Sequence, residues 1–400
     1  MIRVHDKDRA LPRTIRYFLR LPRVAIKVIF TQGWDGFRIK LKNWSHRLVS
    51  GQLGYEIATR GRVTADVHKH VYSEEKVDYI SEILRMLEDG HQPIELNEKD
   101  SLEVIVPIYN AYDDFLKCLY SLFNYQDIYR IIFLDDCSTD TRVKDLLRTL
   151  KDHEQERRFR IEANPQNLGY LKTVSKGMRM AKNDIILLNT DTVVTPNWAR
   201  KIRACAYSDD KISTVTPFTN NGRMCSVPEF LQNNEIPEGF TVNSFAECVE
   251  NVSTSRYPEL VTAVGFCMYI RRSVIDEIGY FDEVNFEMGY GEEVDFSFRA
   301  TRRGYRNVLC DNTFVFHKGG ASFLDSQDAV MEKNHQVLAE KYPELWAAIA
   351  QFERSNPLRE FQDKLKAEMK ARRLQRTKGY GLRKYGRSIS SLRGGYGPAK

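Results

Sequence analysis

The residues able to do chemistry in this 400-residue chain gather in short acidic stretches. LDDCSTD supplies Asp135 and Asp136, LLNTDT supplies Asn189, Thr190 and Asp191, GYGEEVDFSFRA supplies Glu292, Glu293 and Asp295, and FVFHKGGASF supplies His317. Carboxylates alone repel a diphosphate. With a divalent cation between, they hold one, because Mg2+ or Mn2+ takes oxygens from one or two carboxylates and from the phosphates. A lone imidazole among those oxygens is compatible with Mn2+. Phosphate cradling by backbone amides is not supported, since neither G-x-G-x-x-G after the first strand-like run nor G-x-x-x-x-G-K-[ST] occurs. The acidic stretches therefore predict a nucleotide diphosphate bound through a metal.

The elements that must position these groups follow from hydrophobic pattern. Leu102 to Ile108 and Arg130 to Leu134 are nearly continuous β-branched runs, the mark of strands buried on both faces of a parallel sheet. Between them Phe115, Leu116, Leu119, Leu122 and Phe123 recur at helical spacing, which completes a βαβ unit. Further strands are predicted at Phe159–Glu162, Asp184–Leu188 and Gly265–Ile270, and a strand or hairpin portion at Val308–Phe316. Helices are predicted over Tyr170–Ala181, after Pro196, and over Arg272–Ile278 and Glu293–Arg303. Residues 207–262 read as long loops with short elements. In an open α/β sheet ligands bind at the carboxyl ends of strands, and that is where the acidic stretches fall. Each has a plain structural explanation too: Asp135 to Asp140 as a turn and helix N-cap, the three acids of GYGEEVDFSFRA as first-turn residues favoured by the helix dipole, His317 as a satisfied histidine at a strand end. Joint placement at the strand ends of one domain weighs against all three.

VPIYN, LDDCSTD, NPQNLGY, LLNTDT, GYGEEVDFSFRA and FVFHKGGASF, in this order, resemble the inverting GT-A glycosyltransferases of family two, most of all bacterial rhamnosyltransferase-type members that build surface polysaccharides. The resemblance covers residues 98–325 and implies an α/β GT-A fold, a mostly parallel sheet flanked by helices, with helical extensions at both ends. It implies transfer of a sugar, with inversion, from dTDP-rhamnose or a UDP-sugar to a glycan or lipid-linked acceptor, using Mg2+ or Mn2+. By the same resemblance Tyr109, Asp135 and Asp136 hold the nucleoside, and Pro107, Asn110, Asn167, Gly169 and Thr190 belong to the donor site. Asp191 matches the metal-holding acid of the family's D-x-D motif. Asn189 stands where the first acid is expected and becomes a neutral contact. His317 completes the metal site. Glu293 matches the catalytic base, with Glu292 as the alternative, since Glu for Asp lengthens the arm by one methylene. Asp295, Asn220 and Asn221 are expected on the acceptor side.

The rest of the chain is read from composition. The formal charge of +6 conceals basic ends around an acidic centre: residues 1–50 hold twelve Lys and Arg against three Asp, and residues 364–400 twelve against one Glu. Residues 1–97 read as a basic, amphipathic helical extension, 326–376 as helices with Val337, Leu338, Tyr342, Leu345, Trp346 and Ile349 on one face, and 377–400 as a basic, unstructured tail. Aromatic and apolar groups interleave with Arg and Lys over 10–50, a pattern that suits an anionic membrane surface; packing against the chain's own α/β domain or a second subunit is the alternative. The basic ends do not point to nucleic acid, because no nucleic-acid-binding motif accompanies them. Seven cysteines without a C-x-x-C pair read as reduced thiols. With no apolar run of membrane-spanning length, the expected location is the cytoplasm, peripheral on the inner face of the membrane. Arg271 and Arg272 read as solvated surface, Cys267 and Met268 as core strand. Oligomeric state has no signal in the sequence.

Overall fold

The computed structural model describes residues 77–88, 102–154, 158–286, 289, 291–319 and 328–390. The membrane expectation for residues 10–50 and the final tail residues 391–400 lie outside them.

Leu102–Ile108 (β1) and Tyr129–Asp135 (β2) bury most of their side chains, as strands covered on both faces must. Phe159–Ala163 (β3) and Ile185–Leu188 (β4) follow in the same sense, and the two-residue Thr192–Val193 (β5) comes next. The second half adds Ile212–Phe218 (β6), Cys267–Ile270 (β7), Arg306–Phe314 (β8) and Phe316–His317 (β9). The helices are Tyr79–Glu88 (α1), Tyr112–Asn124 (α2), Thr141–Lys151 (α3), Tyr170–Met180 (α4), Trp198–Ala206 (α5), Val242–Val252 (α6), Arg272–Ile278 (α7), Glu292–Arg302 (α8), Asp328–Lys341 (α9), Leu345–Ser355 (α10) and Arg359–Ser390 (α11).

The seven-stranded sheet has the order β3-β2-β1-β4-β7-β6-β8. β3, β2, β1 and β4 are parallel, β7 runs antiparallel to β4 and β6, and β8 is parallel to β6. The chain moves outward from β1 to β3 and returns on the other side of β1 as β4. That reversal opens a crevice at the carboxyl ends of β1 and β4. Tyr109 and Asn110 follow β1, and Asn189, Thr190 and Asp191 follow β4. A separate ribbon pairs β5 with β9 in antiparallel, setting Thr192 opposite His317 and so bringing the end of the β4 motif to the histidine.

Three expectations change. Residues 207–262 contain β6, buried along its whole length, and α6. β6 reads ISTVTPF and lacks the apolar signature because Ser and Thr hydroxyls are satisfied inside: Ser213 donates to the Arg306 carbonyl at 3.0 Å and Thr214 to Asn307 Oδ1 at 2.8 Å. Arg271 is buried rather than solvated, donating to the carbonyls of Ile212 and Asp209 at 3.0 Å each and of Ala206. α11 continues to Ser390, past the point where composition predicts order to end; Lys, Arg and Leu are good helix formers even without an apolar face. Cys267 and Met268 are core strand, and all seven cysteines are free. Of the face predicted for the C-terminal helices, Leu338, Tyr342, Leu345, Trp346 and Ile349 are buried, and Phe361 of α11 stacks on Phe218 at 4.4 Å. Among the described residues no helix is long and apolar enough to cross a membrane.

Candidate active site

The floor of the crevice is a set of polar loop contacts. Asn110 Oδ1 accepts from the backbone N–H groups of Thr139 and Asp140 at 2.8 and 2.9 Å, tying the end of β1 to the loop after β2. Asp135 accepts from the Ser138 N–H at 2.9 Å, and Asp140 caps α3 through the Arg142 N–H, so the turn-and-cap reading of this stretch is also realised. Asp136 accepts from Asn164 Nδ2 (2.9 Å) and from the N–H groups of Leu168 (2.7 Å) and Gly169 (2.8 Å), and so shapes the NPQNLGY loop. Asn167 accepts from the same Gly169 N–H at 3.0 Å. Gly169 precedes α4 with φ +83° and ψ 163°, a backbone state that side chains resist. Pro107 is half-buried in β1, whereas Tyr109 stands 48% exposed at the strand's end, a large ring face open to solvent.

One wall carries a carboxylate and an imidazole. Asp191 Oδ2 lies 3.5 Å from His317 Nε2 and accepts from the Gly319 N–H at 3.1 Å, while its carbonyl accepts from the Lys318 N–H at 2.9 Å. Burial by itself would raise the Asp191 carboxyl, but His317 and the backbone donors outweigh it and hold the group below the usual carboxylate range. His317 Nδ1 meets the Asn221 carbonyl at 2.6 Å; a carbonyl only accepts, so Nδ1 donates, and Nε2 is the ring nitrogen turned toward Asp191. Phe266 stacks on the imidazole at 5.0 Å. Beside them Asn189 is held by its backbone, N–H to the Phe266 carbonyl at 2.9 Å, and its buried Oδ1 has no hydrogen-bond partner. Thr190 is half-buried.

The facing wall is the start of α8. Glu292 is buried, and its Oε2 has no hydrogen-bond partner. Glu293 is partly open, with Oε2 accepting from the Gly291 N–H at 3.2 Å. Burial raises both carboxyls, and Glu292 is pushed well up by the charge of Glu293 as well. A two-residue step joins the walls. A Cβ on Gly265 would lie 4.0 Å from both Glu293 Cγ and the Tyr170 hydroxyl, and the next residue is Phe266, against His317.

Tyr170 was not among the residues that sequence singled out. Burial and then the charges of Glu292, Glu293 and Asp191 push its phenol well up, so it lies within electrostatic reach of all three acids. Its signal was available: it closes NPQNLGY, at the first turn of the helix after β3, and thus at the carboxyl edge of the sheet. Lys318, ion-paired with Asp114 at 2.7 Å on the rim, was missed as well.

The expected acceptor-side residues do not face the crevice. Asp295 is fully buried and ion-paired with Arg299 at 2.8 Å and with Lys341, and it accepts from the Tyr342 hydroxyl at 2.8 Å. It sits two positions beyond Glu293, about 200° round the helix, on the opposite face. Asn220 and Asn221 are buried beneath His317.

Asp191 and His317 can hold a divalent cation. Among the described residues no third His, Cys, Asp or Glu joins them, so a cation held there would need further oxygens from phosphate or water, as Mg2+ commonly does. The Nε2 of His317, the Asp191 carboxylate 3.5 Å from it and the partnerless Asn189 Oδ1 fit such an ion.

Residues 103–279 match the family model described as Glycosyl transferase family 2. No curated protein sequence matches the chain. Among solved structures it is similar to GalNAc-T7 with UDP, GalNAc and Mn2+, at TM-score 0.46 and 15% identity over 62% of this chain and 50% of that one, so that it spans half of that chain's length. It is also similar to the mannosyltransferase PcManGT from Pyrobaculum calidifontis with GDP-Man and Mn2+ (TM-score 0.40, 12% identity, 73% and 94% covered), and to S. aureus TarS 1-349 (TM-score 0.38, 16% identity, 60% and 72% covered).

Proposed function

From the match of residues 103–279 to the Glycosyl transferase family 2 model and from the mostly parallel, helix-flanked sheet, we propose that the chain is a metal-dependent, inverting glycosyltransferase of the GT-A fold. The donor we propose is a nucleotide-diphosphate sugar, dTDP-rhamnose first and a UDP-sugar next. The acceptor is a hydroxyl of a glycan or lipid-linked glycan in cell-surface polysaccharide synthesis. One observation carries this reading: across Gly265 and Phe266, a partly open carboxylate of raised pKa stands opposite a carboxylate of lowered pKa and an imidazole nitrogen 3.5 Å from it.

In this reading Tyr109 offers the nucleoside its exposed ring, with Asp135 and Asp136 behind it at the end of β2. Asp191 and His317 would hold Mg2+ or Mn2+, which supplies neutralisation of the donor's diphosphate. Glu293 takes the proton of the acceptor hydroxyl as that oxygen bonds to the anomeric carbon from the face opposite the diphosphate. The bond from that carbon to the diphosphate breaks, and the nucleoside diphosphate leaves with the electron pair. One base suffices, in contrast to the acid and base of inverting glycoside hydrolases, because a diphosphate leaves without being protonated. Glu293 is the better base of the pair. It reaches the crevice, and its raised pKa brings it nearer the working pH, where a general base is most effective. Glu292 is buried, and its carboxyl is pushed up by burial and by the charge of Glu293, which disfavours it as the base.

Nucleoside diphosphate release from a panel of nucleotide sugars with Mn2+ tests the reading, beside Asp191→Ala and Glu293→Gln. Release that needs both residues is expected. Undiminished release in both variants overturns the site, and pyrophosphate as the product overturns the reaction class. Location at an anionic membrane surface through residues 10–50 is a further part of the proposal. Deleting residues 1–50 should abolish binding to anionic vesicles, and unchanged binding would refute it.

A further inference from the structure

His317 is held from more sides than a histidine at a strand end requires. β9 is only two residues long, and β5 pairs with one of its edges. On the His317 backbone Asn220 acts as a substitute strand: its Oδ1 accepts from the His317 N–H at 2.8 Å and its Nδ2 donates to the His317 carbonyl at 3.0 Å. Asn221 continues the pairing one residue further, Nδ2 donating to the Lys318 carbonyl at 3.0 Å, while its own backbone carbonyl takes the imidazole Nδ1. A Cβ on Gly319 would come within 2.0 Å of Asn221 Nδ2, so only glycine admits the clamp there, at φ +68°. Asn220 is fixed in turn from below: its carbonyl accepts from the Asn234 N–H at 2.8 Å and its Nδ2 also donates to the Asn234 carbonyl at 3.1 Å.

These contacts leave one ring atom uncommitted to the scaffold. Nδ1 is tied to a carbonyl, one ring face lies on Phe266, the backbone on either side is paired, and Nε2 points at Asp191. We propose that Asn220 and Asn221 are positioning residues that lock the backbone, rotamer and Nδ1–H tautomer of His317, so that Nε2 is presented with Asp191 to a divalent cation. This rests on the metal-site reading above and deepens it. Outer partners that orient a ligating histidine are typically worth about 10–100-fold in metal affinity.

The test is Mn2+ binding by the full chain, followed by electron paramagnetic resonance of free Mn2+, with and without uridine or thymidine diphosphate. Asn220→Ala, His317→Ala and the double variant are compared, each with its thermal midpoint. Asn220→Asp is included because it is isosteric and keeps the acceptor for the His317 N–H, but sets an oxygen against the His317 carbonyl. Expected is a 10–100-fold loss of Mn2+ affinity in Asn220→Ala and Asn220→Asp, with the double variant no weaker than His317→Ala alone. Wild-type affinity in the Asn220 variants, or losses that add in the double variant, overturns the clamp and leaves the metal site standing. Mn2+ binding absent from the wild type, or unchanged in His317→Ala, overturns the metal-site reading and the clamp with it. Should Asn220→Ala fail to fold, Asn220→Asp and Gly319→Ala, which would push Asn221 from its place, carry the same comparison.

Discussion

The two walls of the crevice use the same functional group to opposite ends. Glu292 is buried and the side chain of Asp191 is only 9% exposed, and desolvation pushes each carboxyl toward its neutral form. Asp191 is given an imidazole and a backbone N–H and ends below the ordinary range; Glu292 is given a second carboxylate and ends well above it. The neighbour, more than the burial, decides whether a buried acid is an anion that can hold a cation or a reservoir that keeps its proton. Glu293 lies between these cases, raised yet reachable, which is what a general base needs.

The comparison can be broken most sharply at Glu293. Glu293→Gln keeps shape and removes only the proton acceptor, so kcat/KM should fall by about 10²–10⁴-fold, with donor binding retained in equilibrium titrations; a loss confined to donor affinity would remove the base from that wall. Asp191→Asn should act on the other wall, weakening Mn2+ binding and lowering turnover by about 10–100-fold if its charge is what matters; an isosteric variant with full Mn2+ affinity would mean that the anion is not used. Glu292→Gln should stabilise. The folded pKa of Glu292 is raised above its unfolded value, so its contribution is fully present below the unfolded pKa and is lost as pH rises through the folded one. Chemical denaturation at pH 8 should therefore show a gain of about 1–3 kcal/mol in the variant, shrinking toward zero in acid, and a variant less stable than wild type at pH 8 would refute the assignment. The smallest effect concerns the wild-type pH profile. The acidic limb of kcat/KM should lie above the ordinary glutamate value of about 4.3, because burial raises the Glu293 carboxyl, and it should stay above it in Glu292→Gln; a limb that falls to the ordinary value in that variant would mean that the Glu292 charge, not burial, sets the shift.

Much of the left half of the sheet was legible because it is local. LEVIVPI and YRIIFLD announce themselves as doubly covered strands, and each ends in polar residues that the parallel topology sends to one edge. β6 was not legible. Its hydroxyls are paid for by partners on β8 some ninety residues away in sequence, and no window of ISTVTPF contains that information. Asp295 misled for the reverse reason: its motif is right, yet helix geometry turns it away from Glu293 into a buried ion pair. Asn220 and Asn221 stand in a polar loop that points to a ligand, and they are spent on the backbone of His317 instead.

The sequence by itself determined which groups could act: an order of acidic motifs at strand ends, a divalent-cation chemistry for a diphosphate, and Glu293 or Glu292 as base. Only the tertiary structure decided their states. Burial and charge act through space, so the raised carboxyl of Glu292, the lowered carboxyl of Asp191 and the orientation of His317 Nε2 depend on residues that the chain brings together from β4, α8, β9 and the loop after β6. The identities of those residues are properties of the chain; their distances are properties of the fold.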